Sequence, residues 1–107
     1  MPDIPFFDSA GFFHQKIGEV EQILIGKKAE REILAANRTN LERTLQTLAL
    51  LTTEQQRAIQ QELASLKEVL HSSERSIAAL DGEIELLTAK LSALQTARDL
   101  LKVQESP

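Results

Sequence analysis

The sequence predicts an all-α protein, a long antiparallel two-helix coiled-coil hairpin that self-associates into a four-helix bundle. Three observations predict it. The three prolines are Pro2, Pro5 and Pro107, which leaves 101 consecutive residues free of the one side chain that lacks an N–H and clashes inside a helix. The second half carries an unbroken heptad of apolar residues. Between the halves, LALLTTEQQ offers a helix start in the middle of the chain.

The second helix is the best marked. Stepping from Ile59 alternately by four and three reaches Leu63, Leu66, Leu70, Ser73, Ile77, Leu80, Ile84, Leu87, Leu91, Leu94, Arg98 and Leu101. Eleven of these thirteen are apolar, a row sustained long enough to argue for a coiled coil. The phase passes through Asp81-Gly82, a dipeptide that elsewhere signals a turn, and leaves Gly82 facing outward. The helix is therefore expected to continue there, at a cost of about 1 kcal/mol relative to Ala. Running from about residue 53 to 104, it would be about 78 Å long.

The first helix follows the same rule less purely. Its row reads Phe13, Ile17, Val20, Leu24, Lys27, Arg31, Leu34, Arg38, Leu41, Leu45 and Leu48, apolar at both ends and basic in the middle. Thr52 or Thr53 is the expected cap of the second helix, with Gln55 or Gln56 three residues on as in a capping box. The division expected is an extended segment 1–7, helix one over 8–51 and helix two over 52–105. A single continuous helix in a larger assembly is the competing reading.

Folding back at residue 52 gives an antiparallel register in which paired residue numbers sum to about 104. That register sets Arg31 opposite Ser73 with Glu74 beside it, a polar layer that would specify register and partner number. The alternative is that Lys27, Arg31 and Arg38 run along the seam with their heads in water.

A second stripe on helix one, Ile25, Ala29, Ile33 and Ala36, points away from the seam. Covering one such Ile is worth about 1.5–3 kcal/mol, which makes a second copy of the chain the expected cover and these four residues the expected oligomer face.

All four phenylalanines lie in PFFDSAGFF, residues 5–13. With Asp8 as N-cap, Phe7 and Phe12 hold the two positions of a hydrophobic staple, and Phe13 begins the seam. Phe6 has no local role. Phe12 and Phe13 are expected to plug the open end of the hairpin against Leu91 and Leu94. The functional alternative is that Phe6, Phe7, Phe12 and Phe13 dock into a partner's groove.

Composition narrows the function classes. The chain of 107 residues has 42% apolar and only 4% aromatic content, with no Trp, Tyr or Cys, so it has neither a disulfide framework nor thiolate chemistry. Charge is mild at −4, and the basic residues Lys27, Lys28, Arg31, Arg38 and Arg43 are interleaved with Glu30, Glu32 and Glu42, a salt-bridged flank rather than a nucleic-acid footprint. No apolar run approaches the roughly 20 residues of a membrane span, and MPDIPFFDSAG lacks a signal-peptide pattern, so a cytoplasmic protein is expected. His14 and His71 are far apart in the hairpin, so no metal or other cofactor is expected. Gly11, Gly18 and Gly26 do not form a phosphate loop and read as thin points for close helix contact or as local weakness. A hairpin of this length resembles the small secreted Trp-x-Gly proteins, but the chain has no Trp and its turn reads LLTTEQQ.

The expected function is that of a noncatalytic scaffold, adaptor or assembly component acting through protein–protein contacts. Its partners would be a second copy of itself or a helical protein, with no small-molecule substrate, nucleic acid or membrane. The alternative is a small helical chaperone or regulator that shields one dedicated protein.

Overall fold

A computed structural model describes residues 7–105, which form three helices: α1 (Ser9–Leu48), α2 (Thr53–Ala58) and α3 (Gln60–Glu105). The two long helices α1 and α3 pack antiparallel. Their contacts group into two units, one formed by α1 up to Gly26 with α3 from Ile84, the other by Lys27–Glu83.

In the first unit α1 starts as the sequence predicts. The Asp8 carboxylate accepts a hydrogen bond from the Gly11 N–H at 2.9 Å, and the Phe12 N–H donates to the Asp8 carbonyl at 2.9 Å. Asp8 thus satisfies one of the orphan donors of the first turn. A Cβ added at Gly11 would run into the Asp8 carboxylate, so here glycine is what lets the cap close. Further along α1, Ala10, Ile17, Val20 and Leu24 are buried, and on α3 the heptad row from Ile84 to Leu101 is half-buried.

The second unit contains the reversal. Thr52 caps α2 in full: its hydroxyl accepts from the Gln55 N–H at 3.2 Å while the Gln55 side chain accepts from the Thr52 N–H at 3.0 Å. Gln56 ties the turn down, its amide donating to the carbonyls of Leu51 at 3.0 Å and Ala49 at 3.2 Å. The second helix does not run on from here without a break. Ile59, at φ −111° and ψ 28°, separates α2 from α3, a distortion that no Gly or Pro announces.

This longer reversal changes the register. Lys27 meets Glu83 at 2.9 Å, and Arg31 meets Asp81 through both guanidinium and carboxylate edges, Nη2 to Oδ2 at 3.3 Å. Leu45, Leu48 and Leu63 line one small cavity beside the turn. Those ion pairs have residue numbers summing to 110 and 112, so α1 lies one heptad further along α3 than a turn at residue 52 implies. A shift of seven residues preserves every seam position, which is why the heptad alone does not distinguish the two registers.

Gly18, Gly26 and Gly82 all lie inside helices with nothing within 4 Å of where a Cβ would stand. Gly18 and Gly26 therefore make no close helix contact within the chain, and each lowers the helix propensity of its own turn.

Candidate functional site

The polar seam has partners that differ from those expected. Arg31 is not layered with Ser73 and Glu74. It is paired with Asp81, while Glu74 stands 3.9 Å from His71 on its own helix. The one-heptad change of register is the physical reason. Both cations occupy seam positions and are half-buried, so their stems lie along the seam while their charged heads reach acids on the flank of α3. The hydrogen bond from Arg31 holds the Asp81 carboxyl below its usual range, and the bond to Glu83 lifts the Lys27 ammonium. Arg38 turns to Glu42 on α1, at 3.9 Å. Three cations of the expected basic patch are thus matched by acids, as a salt-bridged flank requires.

The phenylalanines form a small exposed platform. Phe7 and Phe12 meet as a staple with ring centroids 5.8 Å apart, Phe13 stands edge-on to Phe12 at 5.6 Å, and the Lys16 ammonium lies 5.5 Å from the Phe12 ring centre. Phe13 is half-buried in the seam, but Phe7 and Phe12 are 67% and 41% exposed. The expectation that Phe12 closes the end of the hairpin is corrected, because Phe12 is exposed and its ring lies against Phe7 rather than against Leu91 and Leu94 of α3 in any ring contact the structure shows. Phe6 lies outside the described residues.

On α1, Ile25 and Ile33 are 61% and 63% exposed, and Ala29 and Ala36 are exposed between and beyond them. The stripe faces away from the seam, as the spacing predicts. A matching row that the sequence expectations do not include stands on α3: Leu86, Leu100 and Val103 are 74%, 63% and 73% exposed, with Ala89, Ala93 and Thr96 at intermediate steps of three and four. Its signal is present as a second heptad, but the stronger leucine row beside it on the same helix hides it.

His14 and His71 do not come together with acids into a metal site, and among the described residues no cluster of three or more His, Asp or Glu is placed to hold a metal. Among the described residues no helix is long and apolar enough to cross a membrane. Comparison with protein-family models, with curated proteins and with solved structures finds no match.

Proposed function

We propose that this protein is a noncatalytic assembly component, an adaptor whose two-helix hairpin holds apolar ridges outward for other helices. The observation that carries the reading is that α1 and α3 each use one heptad row on each other and keep a second apolar row in solvent. A helix that only had to pack once would do best with polar residues over the rest of its surface. Exposed apolar rows of this kind mark interaction sites.

In this reading the α1 stripe Ile25, Ala29, Ile33 and Ala36 takes an amphipathic helix, from a second copy in a four-helix bundle or from a helical partner. The test is an Ile25→Asp/Ile33→Asp variant compared with the wild type for thermal unfolding and for photo-crosslinking from a probe at Ala29. Unchanged unfolding with loss of the crosslinked species supports the reading. No crosslink from Ala29 in the wild type, at any protein concentration or in its native source, contradicts it.

One observation favours a second reading, a small chaperone or regulator that shields a dedicated protein. Phe7 and Phe12 are exposed at the start of α1, where an aromatic platform would meet a partner's apolar segment. Phe7→Ser, which leaves the Asp8 cap in place, would then abolish suppression of that partner's aggregation while the α1 stripe variant would not.

A further inference from the structure

The outward row of α3 points to a specific partner. Leu86, Ala89, Ala93, Thr96, Leu100 and Val103 follow steps of three and four on the side of α3 opposite its seam, all within the unit that α3 forms with the start of α1. We infer that this row is a homodimer interface, in which α3 packs in parallel and in register against α3 of a second copy of the chain.

The charges flanking the row decide the occupant and the direction. On one flank stand Glu85 and, two heptads on, Asp99; on the other stands Lys90. In a parallel pair, a residue on one flank faces the residue five positions on in the opposite flank of the partner helix. Glu85 of each copy therefore meets Lys90 of the other, and twofold symmetry makes the contact twice. In an antiparallel pair centred on Ala93, like flanks meet and Glu85 is set against Asp99, a repulsive contact also made twice. Among the described residues neither Glu85 nor Lys90 has an ion-pair partner within the chain. Parallel pairing also stacks Leu86 on Leu86, Leu100 on Leu100 and Val103 on Val103, while the small Ala89 and Ala93 let the helices approach closely. The row is short, so the dimer is a weak one. This deepens the adaptor reading and rests on it by naming the occupant of its α3 row. Loss of the Ala29 crosslink alone would remove the α1 part of that reading and leave this dimer standing, whereas a monomer at all concentrations would remove this dimer and leave the α1 stripe standing.

The test is sedimentation equilibrium of the full chain from about 1 μM to about 1 mM, the range of weak association. A monomer–dimer equilibrium with twice the 11.9 kDa monomer mass is expected. Leu86→Glu/Leu100→Glu should leave a monomer with unchanged circular dichroism. Lys90→Glu should weaken the dimer about tenfold, and Glu85→Lys/Lys90→Glu should restore it. Because the chain has no native cysteine, Leu100→Cys reports direction: in a parallel pair it oxidises to a disulfide-linked dimer. A monomer at all concentrations overturns the proposal. So does a dimer that survives the double glutamate variant, or one in which Leu100→Cys does not crosslink while a mixture of Leu86→Cys and Leu100→Cys chains does. Association that is lost in the Ile25→Asp/Ile33→Asp variant instead would assign it to the α1 stripe.

Discussion

Two stretches of α1 that occupy the same seam behave differently. Ile17, Val20 and Leu24 retain 3%, 5% and 6% of their accessible surface, while the next seam residues, Lys27, Arg31, Leu34 and Arg38, are only half-buried. The first stretch contributes burial. The second contributes Lys27–Glu83 and Arg31–Asp81, which are partly solvated and therefore individually weak. Weakness in energy is compatible with strength in information. A leucine-like seam matches itself equally well after a slip of seven residues, whereas Arg31 finds Asp81 in one register only. Stability and register thus reside in different parts of one helix.

The comparison can be broken most severely at the buried side chains, of which each unit holds some. Ile17→Ala and, on α3, Leu80→Ala each remove most of a buried side chain and should cost about 2–4 kcal/mol, read as a lower midpoint in urea unfolding. A cost near zero at either would mean that the apolar seam does not carry stability.

Effects of about 1 kcal/mol come next and sharpen the picture of the helices themselves. Gly82→Ala meets open space and should stabilise the protein by about 1 kcal/mol, because alanine lowers the entropy lost by the helix. Thr52→Ala should destabilise by about 1 kcal/mol through loss of the α2 cap, with Thr52→Ser largely restoring it. Gly11→Ala should behave unlike Gly82→Ala and destabilise, since its methyl group displaces the Asp8 cap.

The smallest change in stability belongs to the charged stretch, where the diagnostic is its dependence on pH. Asp81 is held below its ordinary range by Arg31, so its contribution is present above the unfolded carboxyl value and is lost as pH falls through the depressed native one. Lys27 is raised above its ordinary 10.5, so its contribution is present below that value and is lost as pH rises through the raised one. The difference in melting temperature between wild type and Asp81→Asn should be small and constant near neutrality, and should vanish in acid. A difference that persists below the carboxyl range would show that Asp81 acts through something other than its charge.

Much of this architecture is legible in the sequence, for reasons that lie in particular residues. The seam positions read from Phe13 to Leu48 and from Ile59 to Leu101 are buried or half-buried in every case, because a heptad row states which face is inside without reference to any partner. Asp8 and Thr52 are also legible, since a cap is set by residues three positions apart. What escapes is information the period does not contain. A one-heptad slip leaves the pattern unchanged, so placing Arg31 against Ser73 rather than Asp81 required only a reversal that was too short. The break at Ile59, which lengthens that reversal, has no Gly or Pro to betray it. The α3 row from Leu86 to Val103 was masked by the purer leucine row on the same helix.

Register is the claim on which the rest depends, and two engineered disulfides in a chain without native cysteine test it most directly. With paired numbers summing to about 111, Leu34→Cys/Ile77→Cys should close an intramolecular bond under mild oxidation and Leu34→Cys/Leu70→Cys should stay reduced. Rapid closure of the second pair with the first left open would contradict the account.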